Sequence, residues 1–99
     1  MTSILKNLSH VSLHLGQLLA TPGALAAMTE AGQSPLEFIA RHIKGDWGEV
    51  CRDDWALNDE ALKDGSRILS AYRTNKQVRL WIITEADRAA TTILLPDEY

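Results

Sequence analysis

Apolar and polar residues alternate from Val11, where Val11, Leu13 and Leu15 are interleaved with Ser12, His14 and Gly16. Alternation with a period of two predicts a strand. Gln17-Leu18-Leu19-Ala20 can continue it, and Gly16 marks a bulge or a break. Thr21-Pro22-Gly23 then reads as a helix start, with Thr as N-cap and Pro where its missing N–H is harmless. That helix carries Ala24, Leu25, Ala27, Met28 and Ala31 and stops at Gly32. Ser34-Pro35-Leu36-Glu37 is a capping-box signature. Leu36, Ile39, Ala40 and Ile43 follow at helical spacing and predict one buried face, with Phe38 and His42 on a different face and Gly45 closing the helix. Asp46-Trp47-Gly48 reads as a turn. Asp53 is the expected N-cap of a third helix through Trp55, Leu57, Ala61 and Leu62, ended by Gly65.

The period changes in the last third. Arg67 to Thr74 predicts a strand, Asn75-Lys76-Gln77 a tight turn, and Val78 to Glu85 a second strand with bulk on both faces and hence a central place. Ala86-Asp87-Arg88-Ala89 leads to a third strand, Thr91 to Leu95, which Pro96 terminates. The expected fold is α+β, with an N-terminal strand and two or three helices packed on a C-terminal three- to four-stranded antiparallel meander. A chain of 99 residues fits one domain, 1–99, and residues 1–10 carry only weak signals and predict a loose start.

Composition narrows the function classes. The formal net charge is −3, which disfavours sequence-independent nucleic-acid binding, while ten Lys and Arg against thirteen Asp and Glu is too balanced for a DNA mimic. One cysteine, Cys51, allows no internal disulfide and no cysteine-rich zinc site. With neither a signal peptide nor a membrane span in the pattern, the expected location is cytoplasmic. A domain this small is open to gaining stability from a partner or from self-association, as a monomer or homodimer.

No P-loop, dinucleotide fingerprint, nucleophile elbow or His-Glu-x-x-His motif is present, so no cofactor is expected and the chain leans away from catalysis. A dispersed site stays open. His10 and His14 lack a third ligand, and no metal site is expected. His42 lies near a helix end and is a candidate acid or base, against the plainer reading of a half-buried ring packed on Phe38 and Trp47. The sheet carries many polar groups, Arg67, Ser70, Tyr72, Arg73, Arg79, Thr84, Glu85, Arg88, Thr91 and Thr92, and arginine with Tyr and Thr on one face is a candidate to bind phosphate, with a Glu beside such arginines as a base. The plainer alternative is a solvated face laced with charge pairs such as Arg79 with Glu85. Of Trp47, Trp55 and Trp81, at least two are expected in the core, and an exposed one such as Trp47 would anchor an interface.

Leu15-Gly16-Gln17, Ala20-Thr21-Pro22-Gly23-Ala24-Leu25, Gly45-Asp46-Trp47-Gly48, Trp81-Ile82-Ile83-Thr84-Glu85-Ala86-Asp87-Arg88 and the ending Thr91 to Tyr99 resemble a family of small "plasmid-related" proteins of bacterial plasmids, integrative elements and phages. The resemblance runs from about residue 15 to the end. It implies a mobile-element accessory protein acting by binding a host or element-encoded protein, including anti-restriction or anti-CRISPR roles, and brings no catalytic residues with it. Helices followed by a meander are also similar to the barnase and RelE-type ribonuclease architecture. Under that alternative, a small metal-independent ribonuclease or toxin-like enzyme, His42 and Glu85 are the acid and base. Arg73, Arg79 and Arg88 then hold phosphate, and Tyr72 and Thr92 orient it.

Overall fold

The computed structural model describes residues 13–99. Val11, Ser12, His10 and the expected loose start lie outside the described residues. The first strand, β1, is Gln17–Ala20, shorter than the alternation predicts. Gly16 explains the difference: its φ is +64°, and a Cβ there would sit 2.4 Å from the Ala89 carbonyl. Leu13 to Gly16 therefore form no ladder, and Leu13 and Leu15 pack inward instead.

Three helices follow, close to where the punctuation residues put them. In α1, Pro22–Glu30, the Thr21 hydroxyl accepts the Ala24 N–H at 3.2 Å. In α2, Pro35–Ile43, the Ser34 hydroxyl accepts the Leu36 N–H. The expected capping box is not closed, because the Glu37 carboxylate instead accepts from the Gln33 amide. Helix α3 is Arg52–Asp64, capped at Cys51 with no side-chain bond rather than at Asp53. Asp53 and Asp54 fall in its first turn, where the helix dipole favours them. Gly65, at φ +81°, ends it.

The remaining strands are β2, Ile68–Arg73, β3, Arg79–Thr84, and β4, Ala90–Leu94. The four strands lie in the order β1-β4-β3-β2. The meander β2-β3-β4 is antiparallel and β3 is central, as the sequence predicts. β1 instead pairs parallel to β4, so the sheet is mixed. Hairpin connections force antiparallel neighbours, whereas the long excursion between β1 and β4 leaves either direction open. The β2-β3 turn closes through Asn75, Lys76 and Gln77, with Gln77 at φ +67°. The Thr74 hydroxyl accepts the Lys76 and Val78 N–H groups there.

All three helices pack on one face of the sheet. Ala24 and Met28 of α1 and Phe38 and Ile39 of α2 meet Tyr72, Leu80, Ile82 and Ile93. Ala61 of α3 meets Ile68 and Trp47. The buried face of α2 is Phe38, Ile39 and His42, not the Leu36-Ala40 face that hydrophobic spacing predicts. The reason is polar: His42 finds partners in the sheet, which turns Leu36 outward. Of the tryptophans only Trp47 is fully buried, while Trp55 and Trp81 are half-buried. Trp81 meets Tyr99 edge-on at 5.8 Å across the other face.

Gly48 should be the least replaceable glycine in the loop before α3. It has φ +75°, and a Cβ would meet the Ala71 carbonyl oxygen at 2.0 Å. Gly48→Ala is expected to destabilise by about 2–5 kcal/mol, combining left-handed strain with overpacking. Gly32, with φ +67° and open space around it, isolates the strain, so Gly32→Ala should lose only about 1–2 kcal/mol. Urea denaturation of both variants checks this, and equal losses would refute the close approach at Gly48.

Candidate functional site

His42 has no exposed surface, and neither do Ser70, Thr84 or Thr91. The imidazole Nδ1 lies 2.5 Å from the Ser70 hydroxyl and Nε2 lies 2.9 Å from the Thr84 hydroxyl. Thr84 is 2.8 Å from Thr91, which donates to the Leu15 carbonyl at 2.8 Å. Counting protons leaves one arrangement. Thr91 spends its proton on Leu15, so Thr84 donates to Thr91. Thr84 then has no proton for the ring and must accept from Nε2–H. Nδ1 is the acceptor of the Ser70 hydroxyl. Burial away from water holds the imidazole neutral and lowers its pKa to about 4.

This geometry makes His42 a structural group. Both ring nitrogens are occupied, and the ring packs edge-on against Trp47 at 5.6 Å. Of the plainer reading, a half-buried ring packed on Phe38 and Trp47, the contact with Trp47 is present, Phe38 meets Tyr72 instead, and the burial is complete rather than half. Tyr72 is also enclosed. Its hydroxyl donates to the Asp46 carbonyl at 2.6 Å, and burial pushes its pKa up to about 12. Arg41 lies 4.4 Å over the Tyr72 ring and pairs with Asp46 at 2.8 Å. Glu85 is exposed in the turn after β3.

The arginines do not form one site. The Arg88 guanidinium donates to the carbonyls of Ala61, Ser66 and Glu85, which ties the end of α3 to the β3-β4 turn. Arg73 and Arg79 face each other across β2 and β3, and Arg73 pairs with Glu49 at 2.9 Å. β3 separates Arg79 from Glu85 by six residues, or about 20 Å of strand, so the charge pair expected between them does not form. Thr92 lies on the outer face of β4, paired with Ile83. Trp47 is fully buried and donates to Asp59 at 2.9 Å, so it is not a surface anchor.

The two edges of the sheet differ. On β2, two of the three outward-facing residues, Leu69 and Ala71, have both backbone groups bonded, while among the described residues no such bond is made by Arg73 at the strand end. The Asn58 amide group donates to the Leu69 carbonyl and accepts its N–H. Ala71 gives its N–H to Trp47 and accepts from Glu49 at 2.7 Å. On β1, Gln17 and Thr21 donate to Ala89 and Ile93 of the β4 side. Strand alternation then points the Leu18 and Ala20 backbone groups away from the sheet. Among the described residues nothing bonds them.

Beside that open edge is a shallow groove of about 190 Å³, lined by Leu18, Leu19, Ala20, Pro35, Leu36, Ile39 and Ile93. No lining residue is charged. Leu18, Leu19 and Leu36 are 49%, 44% and 65% exposed. Sequence reasoning did not single these residues out. The available signal was Leu36, an apolar residue displaced from the buried face once His42 is counted as part of the core. Among the described residues, no three His, Cys, Asp or Glu side chains are grouped to hold a metal ion, and no helix is long and apolar enough to cross a membrane. The chain matches no protein-family model, and no similar protein was found among curated proteins or solved structures.

The buried imidazole makes stability depend on pH. His42 takes up its proton near pH 6.5 when unfolded but only near pH 4 when folded. Its contribution is therefore complete above pH 6.5 and is lost as pH falls toward 4, by about 3 kcal/mol. The difference in unfolding free energy between pH 7 and pH 4 should shrink by about that amount in His42→Gln. An unchanged pH slope in the variant would mean that His42 is not buried neutral.

Proposed function

We propose that this protein acts by binding another protein, and that the open β1 edge with its adjoining groove is the docking surface. One observation carries the reading: an uncharged apolar groove beside strand groups left unbonded among the described residues, on a sheet whose other edge is bonded at Leu69 and Ala71. Exposed apolar surface of this kind is what a protein partner covers. Unpaired strand edges are a recurrent mode of partner recognition. The distribution of ionisable groups agrees, since His42 and Tyr72 are enclosed and Arg88 is committed to backbone carbonyls.

The resemblance to plasmid and phage proteins adds a setting, that of a mobile-element accessory protein with a host or element-encoded partner. An anti-defence role belongs to that setting. The ribonuclease alternative needs His42 and Glu85 at one solvent-accessible centre, and a ring with no exposed surface does not supply it.

Affinity capture from the native host, comparing the wild-type protein with Leu36→Glu, tests the reading. A stoichiometric partner should be retained by the wild type and weakened at least about tenfold by the variant, since it buries a charge in an apolar contact. Leu36 is largely exposed, so the fold should be kept, which circular dichroism checks. A partner held equally by both proteins would remove the groove from the account. RNA cleavage that His42→Ala or Glu85→Ala abolishes would overturn the binding reading.

A further inference from the structure

The three helices cover one face of the sheet. Among the described residues, the other face has no layer over it beyond the last residues of the chain. Strand alternation puts Arg67 and Arg73 on that outer face from the β2 side, and Arg79 and Trp81 from β3. Tyr99 lies across it, edge-on to Trp81 at 5.8 Å, with the Arg67 guanidinium 5.4 Å from the centre of its ring. These side chains form one row: Arg67, Tyr99, Trp81, then Arg79 beside Arg73. We infer that this row binds a single strand of nucleic acid, with bases stacked on Tyr99 and Trp81 and phosphates held by the arginines at the two ends.

Charge makes the ligand an anion. Arg73 and Arg79 are directly opposed across β2 and β3. Like charges in that position work against the sheet, and Glu49 offsets only Arg73. An anion between them turns the repulsion into charge-assisted contacts. Arg67 and Arg79 are both exposed, and among the described residues neither forms an ion pair. Asp54, which lines a hollow with Arg67, and Glu85, which follows β3, do not pair with it. The aromatic rings then select among anions. Backbone groups of a sheet point within its plane to the neighbouring strands, so its face offers a polypeptide no bonds for its own backbone. A nucleotide strand needs none: its bases stack on aromatic rings, and its phosphates match the guanidinium fork. Tyr99 is 66% exposed, so one ring is open to a base. The net charge of −3 repels a polyanion at long range, which makes the binding local, weak and salt-sensitive. The β1 groove takes no part in it.

Fluorescence anisotropy of labelled oligo(dT) and oligo(U), titrated with the protein at low salt, tests this. At least one should bind, and the tighter of the two names DNA or RNA as the source. Raising salt from about 50 to about 200 mM should weaken binding about tenfold, the slope for two or three neutralised phosphates. Arg79→Glu should weaken it at least about tenfold by reversing a charge at the phosphate, and Tyr99→Ala about fivefold or more by removing a stacked base. Both positions are exposed, so the fold should be kept, which circular dichroism checks. Lys44→Glu makes the same charge change at the exposed C-cap of α2, in the helix layer, and should alter affinity less than about twofold. Leu36→Glu should bind as the wild type does, which separates this face from the groove. No binding at low salt, or equal losses in Arg79→Glu and Lys44→Glu, overturns the inference. So does an oligoglutamate peptide that binds as tightly as the oligonucleotides and is lost equally in Tyr99→Ala, because the ligand would then be an acidic polypeptide.

Discussion

One uncharged imidazole holds the elements of this fold in register. His42 reaches from α2 to Ser70 on β2 and Thr84 on β3, and Thr84 continues through Thr91 on β4 to the Leu15 carbonyl just before β1. The chain of hydroxyls has one consistent set of donors, so it fixes a single ring tautomer. Each bond adds only about 1 kcal/mol, yet breaking the chain would leave buried hydroxyls without partners at about 1–3 kcal/mol each. That asymmetry makes the network specify the packing more than it drives it. The apolar clusters on either side supply the driving force.

Fixing α2 by His42 has a consequence at the surface. With Phe38, Ile39 and His42 turned inward, Leu36 is left outward beside β1. The same rotation that buries the histidine therefore builds one wall of the groove. At the far side of the sheet, the Asp46–Glu49 segment and Asn58 bond the β2 backbone, and Arg73 with Glu49 adds an ion pair. Among the described residues, the β2 edge is thus bonded over Leu69 and Ala71 while the β1 edge is open. The proposed binding role follows from this difference between the edges.

Much of the fold was legible in the residues that punctuate it. Thr21, Ser34, Gly32, Gly45 and Gly65 mark helix ends through capping and left-handed backbone, which are local effects. The alternation in β2, β3 and β4 is equally local. What was not legible depends on distant partners. β1 runs parallel to β4 because no hairpin dictates its direction. The buried face of α2 was missed because histidine counts as polar until Ser70 and Thr84 are placed beside it. The candidate site suffered most: Arg88 looked free for phosphate, and only the fold brings it to the end of α3. The groove residues Leu18, Leu19 and Leu36 look like ordinary core leucines in a one-dimensional pattern.

Amide hydrogen exchange resolved by residue tests the central claim most directly. The account predicts slow exchange at Leu69 and Ala71, because their N–H groups are bonded to Asn58 and Trp47. Leu18 and Ala20 should exchange fast in the isolated protein. Leu18 and Ala20 amides as protected as those of Leu69 and Ala71 would contradict it, since β1 would then have no open edge to offer.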